Sequence, residues 1–345
     1  MKQLDYQKLK PVAVWLYITA AAVFCMAIIG AITRLTESGL SMVEWRPLIG
    51  ALPPMNDAEW NRVFGLYQQT SEYKMAHSWM GLEDFKHIFF WEWFHRLWGR
   101  VIGLIYALPF FVFLIKGMIP SHLKPRFWGL LLLGALQGVM GWYMVQSGFA
   151  DRTDVSHYRL AAHLGLAFII FGALLALAMQ VSLPKTINFQ TGRLRRGAIA
   201  TIKLAFVTII WGAFVAGMNA GKVYNEFPMM GASLFPAEGL DMSPLWQNFF
   251  ENHATVQFTH RWLAITTFLC VVALWWKGRV HNLTDRAVKA RHMVLACAVL
   301  QLALGILTLL TQVVLPIAVL HQAGALLLFG SLIWLIYELK PVKNV

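Results

Sequence analysis

The sequence predicts an all-α integral membrane protein, with eight transmembrane helices arranged as two pseudo-symmetric four-helix bundles. Three observations lead there. Of the 345 residues, 58% are hydrophobic and only 13% are charged, far from the composition of soluble domains. Uncharged runs of about 20 residues, enough to cross a bilayer as helix, recur along the chain. The second half also repeats the first, piece by piece.

The first apolar segment, 12–33, follows directly on the short basic stretch Met1 to Lys10. No small-residue cleavage site follows a short apolar core, so the segment reads as a first transmembrane helix rather than a removed signal. The lack of an Arg/Ser-rich presequence favours a bacterial membrane over an organellar one. A long polar connection, 34–88, then leads to apolar segments near 89–115, 127–146 and 157–180, completing an N-terminal bundle over 1–182. The C-terminal bundle, 183–345, holds segments near 199–218, 253–276, 290–312 and 316–338, with a second long connection at 219–252.

Basic residues set the orientation. The net charge of +12 could suggest a nucleic-acid partner, but Lys and Arg fall in alternate connections, the pattern of membrane orientation. One end collects Lys2, Lys8 and Lys10; Lys116, Lys124 and Arg126; Lys185, Arg193, Arg195 and Arg196; Lys277, Arg279, Arg286, Lys289 and Arg291; and Lys340 and Lys343. The expected placement is therefore a bacterial inner membrane, with both termini cytoplasmic and both long connections periplasmic. Lipid is the surrounding medium, and no nucleic acid is expected. The short basic connections exclude a soluble nucleotide-binding domain. Cys25, Cys270 and Cys297 all lie in apolar segments without a CxxCH motif, so covalent haem attachment is not expected.

The repeat is concrete. Gly30-Ala31 corresponds to Gly212-Ala213, and the run Pro47 to Ala51 to the run Pro228 to Ala232. His95-Arg96 corresponds to His260-Arg261, and Leu136-Gln137 to Leu300-Gln301. His163 and the later Phe171-Gly172 correspond to His321 and Phe329-Gly330. Equal order and orientation imply an axis along the membrane normal, and bundle cores built from facing helices commonly hold cofactors.

Four histidines thus fall inside apolar segments, and ionisable groups there are costly and mark function. Taken from the predicted helix ends, each lies about two turns in, roughly 9 Å at 1.5 Å per residue. His95 with His163, and His260 with His321, would then face each other at one depth in the outer leaflet. Such pairs suit the two axial positions of a haem iron. A structural zinc would want four ligands, and no Cys or carboxylate cluster accompanies either pair. The competing account is four buried histidines satisfied by hydrogen bonds. Gly99, Gly103, Gly165 and Gly324 are the small residues expected to admit a flat macrocycle, or simply to pack helices. Arg96 and Arg261 follow their histidines by one residue; they either meet propionates or anchor the helices at the interface. His77, His87, His157 and His253 lie on the outer side, with His157 and His253 able to assist a site, and His122, His281 and His292 lie on the inner side.

The halves differ at one position. Glu92 precedes His95 by three residues and shares its helix face, whereas the corresponding residue is Gln257. A carboxylate can take a proton or stabilise positive charge, and an amide cannot. Pairing with Arg96 or Arg100 is the structural alternative. The asymmetry suggests chemistry in the first half and cofactor holding in the second.

The run Gly30-Ala-Ile-Thr-Arg34-Leu-Thr-Glu37-Ser-Gly39-Leu-Ser-Met-Val-Glu44-Trp45-Arg-Pro47, the Glu92-x-x-His95-Arg96 motif and the repeated His-Arg resemble the haem A synthase family over essentially the whole chain. Residues 34–88 contain no cysteine, which matches the branch without a cysteine pair in the first outer loop. The resemblance implies eight helices in two bundles and conversion of haem O to haem A for cytochrome c oxidase. It implies that His95 and His163 bracket haem O as substrate, with Glu92 assisting. It further implies that His260 and His321 ligate a permanent haem b. Arg34 and residues 36–45 lack a close counterpart in the second half, consistent with a place on the substrate side; the alternative is a structured outer loop that caps the bundle. The implied reaction hydroxylates one porphyrin methyl group twice, and the geminal diol loses water to leave a formyl group. Haem O synthase and an electron donor are candidate partners, and glycine-rich helix faces permit an oligomer without demanding one. Two rival readings fit the same histidines: a di-haem b-type membrane electron-transfer subunit, and a haem carrier.

Overall fold

A computed structural model describes residues 5–45, 49–149, 155–184 and 191–340. Lys2, Lys185 and Lys343 of the basic clusters, and Arg46, Pro47 and Leu48 of the loop motifs, lie outside the described residues. Among the described residues ten α-helices follow one another: α1 (Tyr6–Leu35), α2 (Asp57–Tyr67), α3 (Leu82–Ile115), α4 (Lys124–Gln146), α5 (His157–Ser182), α6 (Gly192–Gly217), α7 (Asn248–Glu251), α8 (His253–Lys277), α9 (Asp285–Leu310) and α10 (Leu315–Glu338). All but α2 and α7 are long and apolar enough to cross a membrane, so the chain is a multi-pass membrane protein.

Several helices begin earlier than the apolar runs indicate, because their first turns are polar and capped. Asp5 accepts from the Lys8 amide ahead of α1. The Gly81 amide donates to Asp84 Oδ2 at 3.0 Å, starting α3 at Leu82 rather than near 89. Glu83 and Asp84 in that first turn also suit the positive end of the helix dipole. The first turns of α6 carry Arg193, Arg195 and Arg196. Hydropathy marks where a helix enters lipid, and capping marks where it starts.

Helix α1 packs on α3 and α5, α5 on α4, and α3 on α4, which closes one ring of four. Contacts of α6 with α8, α8 with α9, α9 with α10 and α10 with α6 close another. The rings meet through α5 against α6, α1 against α10, and α5 against α10. At that last contact the repeated Phe-Gly pairs interlock. A methyl on Gly172 would stand 3.1 Å from Phe329 Cε1, and one on Gly330 would stand 3.4 Å from Phe171 Cε1. Each phenylalanine ring packs into the space left by the other helix's glycine.

Inside the first ring, Pro109 cannot donate to the Ile105 carbonyl, and Trp15 Nε1–H of α1 donates to it instead at 2.7 Å. The 34–88 connection is a folded cap rather than an open loop. Asn56 caps α2 by accepting from the Glu59 amide, and Tyr67, Met80, Phe85, Ile88 and Phe89 form a buried cluster beneath α2. Arg62 fastens α2 to the preceding chain through Glu44 at 2.8 Å, and pairs with Glu59 one turn back on its own helix at 2.7 Å.

Candidate functional site

Each of the four intramembrane histidines rests on a glycine of a neighbouring helix. A methyl group on Gly30 of α1 would lie 3.2 Å from His95 Cε1, and one on Gly141 of α4 would lie 3.1 Å from His163 Cε1. On Gly212 of α6 it would lie 3.0 Å from His260 Cε1, and on Gly305 of α9 3.0 Å from His321 Cε1. Each ring sits deep inside its helical ring yet keeps accessible surface, so it borders open space between the helices. His163 is the electrostatic neighbour of His95, and His260 that of His321.

These are not the glycines expected from sequence. Gly99 faces Met26, Gly165 faces Ile210 and Phe206, and Gly103 has nothing within 4 Å. Gly324 makes room for the Gln301 side chain. The signal that would have found Gly141 and Gly305 is their place four residues after the repeated glutamines Gln137 and Gln301.

The outer contacts of the rings leave a nitrogen for a metal. His260 Nδ1 donates to the Thr208 carbonyl at 3.1 Å, which leaves Nε2 as the coordinating atom. His95 Nδ1 lies 3.4 Å from Thr33 Oγ1. Gln301 Nε2 lies 3.2 Å from His321 Nδ1, and Gln137 Nε2 lies 3.3 and 3.2 Å from the two ring nitrogens of His163. The amide oxygens of both glutamines are buried without a hydrogen-bond partner. With the Gln301 amide turned so that its oxygen accepts from His321 Nδ1–H, Nε2 of that ring again stays available, whereas Gln137 is held by donating its Nε2–H to the His163 carbonyl at 3.1 Å. Among the described residues no cluster of three or more His, Cys, Asp or Glu is placed to hold a metal. Two imidazoles alone suit an iron whose other four ligands are porphyrin nitrogens. The donor set therefore fits haem.

Glu92 and Arg96 form a buried pair one turn from His95, with Arg96 Nε donating to Glu92 Oε1 at 2.5 Å. Arg96 also donates to the carbonyls of Met42 (3.0 Å) and Glu44 (3.4 Å), and its guanidinium lies over the Trp45 ring at 5.4 Å. Arg261 repeats the arrangement: it bonds Gln257 Oε1 (3.2 Å) and the carbonyls of Tyr224, Glu226 and Met229 at 2.8, 2.9 and 3.1 Å. Both arginines therefore clasp the outer connection of their own half. Their remaining hydrogen bonds run to Glu92 and Gln257 on their own helices.

Arg34 follows Thr33, whose hydroxyl lies 3.4 Å from His95 Nδ1. Its Nη2 reaches across to the Gly217 carbonyl and Asn219 Oδ1, both at 3.3 Å, tying the end of α1 to the end of α6. His157 is buried against Tyr158 and Phe214, with Nε2 3.8 Å from Glu251 Oε2, so it too joins the halves. His253 is exposed at the start of α8. Outside the bundle, Tyr67 Oη lies at hydrogen-bond distance, 2.8 Å, from His77 Nδ1, and His77 Nε2 faces Glu37 Oε2 at 3.4 Å. Burial and then the Glu72 carboxylate hold that phenol above its ordinary range. His77, Glu37, Asp84 and His87 border a cavity of about 330 Å³ in the outer cap.

The family model described as cytochrome oxidase assembly protein, COX15-CtaA, matches residues 13–333. A haem A synthase of Rhodospirillum centenum is 52% identical over 97% of this chain and 90% of its own length. A haem A synthase of Parvibaculum lavamentivorans is 46% identical over 95% of this chain and 94% of its own. A haem A synthase of Nitrosospira multiformis is 46% identical over 96% and 94%.

Proposed function

Because the chain belongs to the COX15-CtaA family of cytochrome oxidase assembly proteins, we propose that it is a membrane oxidoreductase that converts haem O to haem A. Curated relatives of that activity match it over nearly its full length. The observation that carries the reading is the fourfold histidine-on-glycine seat, doubled in two rings and joined to one chemical asymmetry, Glu92 against Gln257.

In this reading the N-terminal half, 1–182, takes haem O between His95 and His163. The C-terminal half, 183–345, holds a resident haem b between His260 and His321, and that group supplies one-electron transfer when bound. The chain's own residues do the positioning. Glycines on α1, α4, α6 and α9 set the imidazole planes, and Gln137, Gln301, Thr33 and the Thr208 carbonyl set the ring nitrogens. Arg96 holds the 42–45 stretch over the first ring. Glu92 keeps a carboxylate on the His95 face, where it can accept a proton as a methyl substituent is hydroxylated.

Placement follows the charges: the end bearing both termini carries Lys8, Lys10, Lys116, Lys124, Arg126, Arg193, Arg195 and Arg196 among others. That supports an inner-membrane protein with cytoplasmic termini and a periplasmic cap.

Extracting the pigments after expression beside a haem O synthase tests the activity. Haem A or its hydroxylated precursor is expected. Haem b alone would instead mean an electron-transfer cytochrome, and unchanged haem O a carrier.

A further inference from the structure

At the end of the molecule that bears both termini, the last turn of α8 meets the first turns of α9 in a cationic cluster without a counterion. Arg291 of α9 is buried, with 9% of its surface exposed. Its side chain lies across Gly278, where any Cβ would collide with Arg291 Cδ at 2.7 Å. Its guanidinium sits over the Trp275 ring at 5.9 Å, and Nη2 lies 3.4 Å from His292 Nε2, while Nε has no hydrogen-bond partner. Arg279 joins from the exposed side, over Trp276 at 4.9 Å and Trp275 at 5.4 Å. Trp275 Nε1–H donates to His292 Nδ1 at 3.1 Å and orients that ring.

Among the described residues no ion pair reaches Arg279 or Arg291. The buried carboxylate of α10, Glu338, is engaged by Arg286 at 2.7 Å and by Trp334 at 3.1 Å. Lys277 and Lys289 add charge of the same sign on either side. A buried guanidinium beside a second one, with aromatic faces and no carboxylate, is an expensive arrangement unless an anion completes it. Guanidinium forks match phosphate oxygens in shape and charge.

The rim is also apolar. Trp276 is 63% exposed and Val280 85% exposed, a surface that suits the glycerol and upper acyl region at a membrane interface. Free phosphate would use the two arginines and ignore this rim. A phospholipid would use both.

We infer that Arg279 and Arg291, with Trp275, Trp276 and His292, form a binding site for the phosphodiester headgroup of an anionic phospholipid in the adjoining leaflet. Basic pockets between transmembrane helices on the positively charged side recognise such headgroups. The full chain, solubilised in mild detergent, is exchanged against dioleoylphosphatidylglycerol or dioleoylphosphatidylcholine, and retained lipid is read by native mass spectrometry. Phosphatidylglycerol should be retained in preference to phosphatidylcholine. Arg279→Gln, on the exposed rim where folding is not at stake, should weaken that retention about fivefold, the worth of one interfacial basic residue. Lys116→Gln removes equal charge from the same end, outside the cluster, and should leave retention unchanged. Equal retention of the two lipids overturns the inference, as does wild-type retention in Arg279→Gln or an equal loss in Lys116→Gln. Millimolar inorganic phosphate distinguishes the sources: displacement of phosphatidylglycerol by phosphate alone would mean a free-anion site and overturn the lipid assignment.

Discussion

At Gly305 the α-carbon carries no side chain, and His321 uses that space to bring its ring to the right plane. Gly305→Val should push the imidazole off its seat. We expect the amount of haem b per protein, read from the pyridine haemochrome spectrum, to fall several-fold. Gly103→Val is the matched control, because nothing lies within 4 Å of a Cβ there, and it should bind haem normally. The four histidines were legible in the sequence because an ionisable group in an apolar run stands out. Their glycine seats were not, because small residues recur on every transmembrane helix and all four seats lie on helices without a ligand. Only the packing of α4 on α5 and α9 on α10 selects Gly141 and Gly305. The Glu92 asymmetry was legible, but its pairing with Arg96 was left as one of two alternatives. That pair makes Glu92→Gln a clean test. The second half shows that glutamine can bond the following arginine in the same place, at 3.2 Å, so the variant should fold. Haem content should persist while formyl product falls at least about a hundredfold, the lower range for losing a proton-accepting group. Product at the wild-type rate would remove Glu92 from the chemistry.

Helix α3 shows what an element needs beyond an apolar stripe. Its Pro109 deletes one backbone bond, and the orphaned Ile105 carbonyl is taken by the Trp15 indole at 2.7 Å. Trp15→Phe should therefore cost about 1–3 kcal/mol for a buried acceptor left unmet, besides lost contacts with Tyr106 and Phe127. Pro109→Ala restores the helical donor, so the acceptor part of that cost should vanish when both changes are combined. A double-mutant cycle of denaturant-induced unfolding would read the coupling; strict additivity would mean that the indole bond carries no energy. Nothing in the sequence joins positions 15 and 109, since the bond depends on how α1 meets α3. A structured cap was the sequence's alternative for residues 36–45, but its packing was not legible, because Tyr67 and Met80 belong to no helical run long enough for a bilayer. Tyr67, Phe85 and Phe89 come together only when α2 folds back on α3.

Across the whole molecule, the repeat seen as aligned letters becomes a contact between the halves. Phe171-Gly172 and Phe329-Gly330 match in sequence, and in the fold each phenylalanine sits over the other's glycine. Arg34 reaches from α1 to the end of α6, and Tyr158 donates to Glu251 at 2.6 Å from α5 to α7, so the outer edge is tied as well. Two histidine pairs on rigid rings keep a fixed separation only while these contacts hold. Gly172→Val would drive a side chain into Phe329 and Ile333, and overpacking of this kind costs about 1–3 kcal/mol. We expect a lower unfolding midpoint and, although the change lies in the first half, reduced haem b retention in the second. Adding Phe329→Ala removes the ring that is struck. The double variant should then be more stable than the sum of the two single losses predicts, a non-additivity typical of residues in contact. Should the two losses simply add, and haem b stay at the wild-type level in Gly172→Val, the halves would be energetically independent. The α5–α10 contact would then play no part in holding the two sites together.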